Sequence, residues 1–316
     1  MQRYVIQRLA FVPIVALLVA TLVFLLVRLL PGDIVDVLTR EAPQYGDATA
    51  LRQELGLDKP FVEQYLSFLA GLPRADFGES LYFRHPVAED VRRALPVTLE
   101  LALLAVLIST AISIPLGVLA ASGRNGPVDY LVRVISVVFT SVPTFWLGTL
   151  VLTGLALWAT WVPPLRYTPF WQDPVANLQQ FLIPALVLGV AATGVTLRMV
   201  RSQMLDVLGQ DYIRTARAKG LGTIGTLRGH ALRNALVPVV SLIGNQMGVL
   251  LGGAAVTETI FNLPGLGRML ITAVDTRDYP SVQAAVLVIA LLLVSLNLVV
   301  DLAYAWLDPR IRYAEG

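Results

Sequence analysis

Apolar residues in this chain come in long runs separated by short polar stretches. Six runs stand out, at approximately 9–29, 96–121, 131–158, 181–200, 235–257 and 281–307. Each is near or above the roughly 20 residues that carry an α-helix across a bilayer. A backbone in lipid must satisfy its own hydrogen bonds, so the pattern predicts an all-α membrane protein with six transmembrane helices. Pro115, Pro143 and Pro184 fall inside these runs or at their starts. Supported by neighbouring helices, they are expected to kink the spans rather than break them.

The polarity pattern marks off an N-terminal transmembrane helix (1–30), an extracytoplasmic subdomain (31–95), a transmembrane core (96–307) containing a polar loop at 201–234, and a short tail (308–316). Arg3 and Arg8 before the first run give it the look of a signal peptide. Its length, the lack of a small-x-small cleavage site and the following Arg28-Leu-Leu-Pro-Gly-Asp33 predict a retained helix instead. Orientation follows from arginine and lysine in the short loops. With the N-terminus inside, the inner loops hold Arg124, Arg133, Arg198, Arg201, Arg214, Arg217, Lys219, Arg228 and Arg233, and the tail holds Arg310 and Arg312. The short outer loops hold Arg166, Arg268 and Arg277. Both termini are therefore expected on the cytoplasmic side.

Within the 31–95 segment, Leu51, Leu55, Leu57, Phe61, Tyr65 and Phe68 recur near helical spacing. Pro60 is expected to split this stretch into two short helices, and Gly71-Leu-Pro73 to end it. A docking or lid surface and a packed cap on the helices fit this pattern equally.

Composition agrees with the membrane reading. The chain is 56% hydrophobic and 15% charged, against about a quarter charged in an average soluble domain. The formal net charge of +2 points to no nucleic-acid partner. The sequence has no cysteine, which excludes disulfides and thiol chemistry, and its two histidines, His85 and His230, are too far apart in sequence to suggest a metal cluster. The runs carry almost no ionisable groups near their centres. Arg28, Glu100 and Asp301 sit near run ends, where side chains reach interfacial water. Neither a His-Glu-x-x-His helix nor a Gly-x-Ser-x-Gly elbow is present, so no enzymatic site is expected. The same absence weighs against a proton-coupled carrier, and less against a sodium-coupled one. Gly220-Leu-Gly-Thr-Ile-Gly225 matches a dinucleotide fingerprint, but it follows a helical stretch rather than a strand. With no P-loop, any ATP that drives the protein must bind another chain.

The loop at 201–234 is too polar to span and too ordered for a plain connection. Leu205, Leu208, Tyr212, Ile213 and Ala216 fall near helical spacing, while Asp211, Arg214 and Arg217 stay polar. Gly220 and Gly222 are good helix stops, and a second helix is expected from about Leu227 into the fifth span. The first helix is expected to expose the small residues Thr215, Ala216 and Ala218 among basic ones. By pattern alone this suits a protein partner or a lipid surface equally.

Asp211-Tyr-Ile-Arg-Thr-Ala-Arg-Ala-Lys-Gly220, followed by His230-Ala-Leu-Arg-Asn-Ala-Leu-Val-Pro238, resembles the cytoplasmic coupling loop of ABC importer permeases. That family's motif is Glu-Ala-Ala, three residues, then Gly. Here Arg214-Thr215-Ala216 occupies the triplet, with Arg in place of Glu, and Gly220 holds the glycine. Leu30-Pro-Gly-Asp33, Leu51-Arg-Gln-Glu-Leu-Gly-Leu-Asp58, Gln64-Tyr65, Phe77-Gly-Glu-Ser80, Pro86-Val87 and Leu95-Pro-Val-Thr-Leu-Glu-Leu101 are similar to the N-terminal region of the dipeptide/oligopeptide/nickel branch. Ser141-Val-Pro-Thr-Phe-Trp-Leu147, Glu258-Thr-Ile-Phe-Asn-Leu-Pro-Gly-Leu-Gly267, Arg277-Asp-Tyr-Pro280, Asn297 and Asp308-Pro-Arg310 resemble its later parts. The outer loop near 162–180 is least recognisable.

The resemblance implies a type I permease fold in a bacterial or archaeal cytoplasmic membrane. It also implies a second related permease, two ATPase subunits that bind the ATP and magnesium, and a solute-binding protein outside. No cofactor is implied in this chain. Dipeptides or oligopeptides are the implied cargo, with nickel complexes or other small solutes as the alternative and an ion-coupled carrier as the rival class. Arg214, Thr215, Ala216 and Gly220 would belong to the helix that seats in an ATPase. Gly244, Gly248 and Gly252 form a small-residue stripe in the fifth span. Asn245 and Gln246 beside it suit a polar pathway or a helix contact equally. Ser141, Thr144 and Trp146 are further pathway candidates, with core packing favoured for Trp146. The segment 258–280, with Glu258, Pro264 and Gly265, is expected to fold back as a gate, a binding-protein contact or a structural hairpin.

Overall fold

The computed structural model describes residues 2–29, 34–35, 38, 48–54, 56–164 and 166–307. Leu30-Pro-Gly-Asp33, Leu55, Asp308-Pro-Arg310 and the tail 308–316 lie outside the described residues. The α-helices are α1 (Gln2–Leu29), α2 (Ala48–Glu54), α3 (Phe61–Gly71), α4 (Val87–Ser122), α5 (Pro127–Ser141), α6 (Thr144–Ala159), α7 (Pro174–Leu208), α8 (Asp211–Ala218), α9 (Leu232–Ile260), α10 (Leu266–Asp275) and α11 (Tyr279–Leu307). One helical turn (Thr223–Thr226) and a π-helical turn (Leu227–Ala231) lead into α9. Strand-like pairing among the described residues is one isolated bridge, Glu79 with Pro86.

Five stretches are long and apolar enough to cross a membrane: Ala10–Leu29, α4, α7, Gly229–Ile260 and Tyr279–Val300. A sixth arises when α5 and α6 are counted together, but they are bent by 97°. The expected gentle kink at Pro143 is therefore a break. Proline removes an N–H and its ring pushes the preceding residue out of the helical region. Val142 is accordingly extended (φ −79°, ψ 122°), and α6 begins after the proline. Pro115 and Pro184 lie within continuous helices.

The chain folds as two compact units, residues 1–99 with 263–295 and residues 100–262 with 296–316. These are not the segments 31–95 and 96–307 marked off by polarity, because residues 263–295 return to pack with the N-terminal part.

In the first unit α2 ends on Gly56 at φ +66°, with Leu57 N–H reaching Arg52 O at 2.9 Å, and α3 begins directly after Pro60. The Phe24 ring of α1 meets Phe61, Tyr65 and Phe68 of α3 at 5.2, 5.2 and 5.9 Å between centroids. Thr21 Oγ1 and Tyr65 Oη lie 2.7 Å apart. Arg28 does not simply reach for water. Its guanidinium donates to Gln64 and lies over the rings of Phe24 and Tyr279. Buried Val87, Val91 and Ala94 of α4 cluster with Leu266 of α10 and Ala284 of α11. The Thr98 hydroxyl accepts from Leu266 N–H at 2.8 Å and so caps α10.

Asp278 is the polar centre of this unit. Fully buried just before α11, it accepts from Ser80 Oγ (2.5 Å), Leu81 N–H (3.0 Å) and Ser281 Oγ (2.7 Å). Asp278→Ala leaves those donors without their acceptor, at a cost of about 3 kcal/mol. The expected result is faster tryptic cleavage at Arg84 in the purified protein; an unchanged cleavage rate would contradict the assignment.

In the second unit, α7 is the central helix. It packs against α5, α6 and α9, and α4 also approaches it closely. Glycine permits the closest approaches: a Cβ on Gly189 would lie 2.9 Å from Ala105 O, and one on Gly194 would lie 2.7 Å from Ser136 O. Hydroxyls add bonds across the helices. Ser113 Oγ donates to Thr193 O at 3.1 Å, and Ser136 Oγ to Gly194 O at 2.9 Å. Small residues and interhelical hydroxyls are how helices associate where lipid removes the hydrophobic drive. Of the glycine stripe on α9, Gly244 lies tightly against Val300 of α11, whereas Gly252 faces open space.

The loop before α7 is held by polar anchors. Asp173 caps α7 by accepting from Val175 and Ala176 N–H, both at 3.0 Å. Tyr167 donates to Glu100 at 3.1 Å. Burial, reinforced by the Glu100 carboxylate, pushes the Tyr167 phenol up to about 12, so it remains a proton donor.

Candidate coupling site

The segment 201–234 folds as its pattern predicts in outline. A reversal at Gly209-Gln210 ends α7 and starts α8, with Ile213 N–H bonded to Gln210 O at 3.1 Å. An isolated helix this short would not persist in water. Packing holds it. Ile213 enters a buried cluster with Ala121 of α4, Val200 and Met204 of α7, Ala231, and Ala235 and Val239 of α9, and Ala216, one turn on, is also buried. Asn234 Nδ2 adds a 3.0 Å hydrogen bond to Tyr212 Oη.

At its far end α8 closes on Gly220 at φ +85°, in the left-handed region that glycine enters without a Cβ penalty. Leu221 N–H then reaches Ala216 O at 3.3 Å, the six-to-one bond of a Schellman cap. No heavy atom lies within 4 Å of where a Gly220 Cβ would sit. Backbone conformation, not space, therefore demands glycine here. The surroundings of Gly220 and Gly225 are helical turns, not a strand and phosphate loop.

One expectation about α8 is corrected. Ala216 is not on the presented surface; it is only 8% exposed. The 3.6-residue period puts it on Ile213's face. The exposed face carries Tyr212, Arg214, Thr215 and Ala218, followed by Lys219 and Gly220. Arg214 pairs with Asp211 at 3.3 Å, but both side chains are highly exposed, so the pair adds little stability.

The pathway candidates divide sharply. Gln246 is a helix contact: its Oε1 accepts from Thr196 Oγ1 at 2.9 Å and its Nε2 donates to Ala192 O at 3.2 Å, all buried. Asn245, its neighbour, is exposed. Trp146, for which core packing was favoured, is 51% exposed on this chain. It sits in the first turn of α6, where the break at Pro143 turns the helix away from α5. Ser141 is exposed at the end of α5, and Thr144 is half-buried at the start of α6. Glu258 is fully buried in the last turn of α9. Pro264, exposed, and Gly265, buried, belong to the other compact unit and precede α10. The 258–280 segment comprises the end of α9, a turn, α10 and the start of α11.

Sequence reasoning missed Asp129. It is completely buried in the first turn of α5 and holds Arg201 of α7 in a two-pronged ion pair. The signal was available: Asp129 stands between Arg124 and Arg133 in a segment otherwise read only for its positive charge.

Similarity to known proteins follows this geometry. The family model for binding-protein-dependent transport system inner membrane components matches residues 113–313, and the model for the N-terminal part of such components matches residues 1–102. A putative peptide transport system permease protein of Brucella abortus (strain 2308) is 41% identical over 313 residues, covering 99% of this chain and all of the relative. The dipeptide transport system permease protein DppB of Escherichia coli (strain K12) is 40% identical, covering 99% of each chain. The glutathione transport system permease protein GsiC of Salmonella paratyphi A is 39% identical, covering 99% of this chain and all of the relative. Among solved structures, an inward-facing form of the MetNI methionine ABC transporter shares the fold at 19% identity, with a TM-score of 0.55 over 69% of this chain and 96% of that one. The chain therefore belongs to the family of binding-protein-dependent transport system inner membrane components, as a multi-pass permease subunit of an ABC importer.

Proposed function

We propose that this permease forms half of a translocation path for short peptides and that α8 is its contact with a cytoplasmic ATPase. The observation that carries the coupling reading is the two-faced build of α8. Its apolar face is locked into the ends of α4, α7 and α9, while Arg214, Thr215 and Ala218 remain at the surface. A helix so rooted transmits a push from outside directly into three membrane-length helices. Small exposed residues allow close approach and the basic ones give electrostatic complementarity. ATP and magnesium are bound by the partner subunits, two ATPases in all. A second related permease completes the path, and a solute-binding protein delivers cargo from outside. Both chain termini lie on the cytoplasmic side, in keeping with the distribution of arginine and lysine.

The substrate class rests on the relatives' names, which specify peptides, dipeptides and glutathione, itself a short peptide. A path lined by few fixed charges suits cargo whose side chains vary and whose backbone is constant. Uptake of a labelled dipeptide into proteoliposomes holding the whole complex tests this. ATP-dependent accumulation is expected; its absence with functional binding protein would contradict the peptide reading.

Gly220 tests the coupling reading. Gly220→Ala places a Cβ in the left-handed region at a cost of about 1 kcal/mol, without any clash. It should lower uptake modestly. Gly220→Pro cannot adopt φ +85° at all, so α8 loses its cap and uptake should vanish while membrane insertion stays normal. Wild-type uptake by the proline variant would contradict the role of α8.

A further inference from the structure

The Asp129–Arg201 pair is unusually well built. Arg201 Nε lies 2.5 Å from Asp129 Oδ1 and Nη2 lies 2.8 Å from Oδ2. Asn125 N–H, in the tight turn between α4 and α5, donates to the same Oδ2 at 2.9 Å. Asn125 holds the left-handed conformation (φ +61°) that points its N–H there. Arg133 approaches from the next turn at 3.5 Å, its guanidinium 4.3 Å over the Tyr130 ring. One carboxylate thus joins the α4–α5 turn, α5 and α7.

Its level along the helices matters. A Cβ on Gly117 of α4 would fall 2.7 Å from Val200 and 3.2 Å from Arg201 N, so α4 also touches α7 here. Val200 and Met204, on either side of Arg201 in α7, are the fully buried residues that receive Ile213 of α8. The ion pair therefore sits directly beside the socket of α8.

A buried ion pair contributes little net stability, and apolar residues of similar volume usually hold helices together as well. What an apolar contact does not give is register. Sliding α5 along α7 by one residue, about 1.5 Å, breaks the fork and strands the buried carboxylate of Asp129. We propose that Asp129 and Arg201 are positioning residues for transport: they lock α5 to α7 so that both move with α8 as one body, and so set how much uptake each ATP hydrolysed drives. This rests on the reading of α8 as the ATPase contact.

The test uses the complete transporter in proteoliposomes, with uptake and ATP hydrolysis measured together. The double variant Asp129→Leu/Arg201→Met replaces the pair by apolar groups. It should assemble and hydrolyse ATP, but uptake per ATP should fall about tenfold. Arg201→Lys keeps the charge and loses the fork, and should lower the ratio about threefold. A wild-type ratio in either variant overturns the proposal. So does failure of the double variant to assemble, because the pair would then serve the fold alone. Retained ATPase with an unchanged ratio sinks only this linkage, whereas a wild-type α8 that holds no ATPase sinks the coupling reading with it.

Discussion

Ile213→Asp is expected to abolish ATP-driven uptake and co-purification of the ATPase while leaving the chain in the membrane. Ile213 is fully buried, and its neighbours Val200, Met204, Ala231, Ala235 and Val239 are all apolar. Among those neighbours a carboxylate finds neither water nor a partner, and the cost of forcing it there is several kcal/mol. The eight-residue helix is also held by the glycine cap and by the Tyr212–Asn234 hydrogen bond. Neither is worth more than about 1 kcal/mol. So α8 should leave its socket rather than drag the charge in. Ile213→Val, which removes one methylene from the same place, costs about 1 kcal/mol and should preserve both activities. If the aspartate variant keeps its ATPase, α8 is not anchored through this face.

Gly194→Val should be the most damaging single change in the second unit. Its Cβ would come 2.7 Å from Ser136 O, 2.8 Å from Thr140 Cγ2 and 3.1 Å from Phe139 Cβ. The first contact is backbone, which cannot rotate away, so α5 must retreat from α7. The Ser136–Gly194 hydrogen bond goes with it. Overpacking of this kind costs about 3 kcal/mol. The purified complex should melt at a clearly lower temperature than wild type; an unchanged melt would mean that the two helices are not in contact as described. Gly252→Val, in open space, is the control and should melt normally.

The spans were legible because a membrane helix writes its length in uninterrupted apolar residues. The two-helix split at Pro60 and the stop at Gly220 were legible for a similar reason: proline and glycine restrict or free the backbone locally, whatever surrounds them. Pro143 shows the limit. Its chemistry is that of Pro115 and Pro184, yet the helix breaks there and continues at the others. Ala216 was expected at the surface and Gln246 was left open because a small or amide side chain is equally at home at a surface and in a packed interface. Neighbours more than ten residues away decide, as Thr196 does for Gln246. Asp129 was overlooked because its partner lies 72 positions along the chain.

The central claim is that α8 meets the ATPase through Thr215 and its exposed neighbours, with Ala216 turned inward. The chain has no native cysteine, so single substitutions report without background. The direct measurement is thiol-to-amine crosslinking of Thr215→Cys and Ala216→Cys in the assembled transporter. Thr215→Cys should give an adduct with the ATPase subunit, and Ala216→Cys should give little or none. Absence of an ATPase adduct from Thr215→Cys, or a stronger one from Ala216→Cys, would contradict the account.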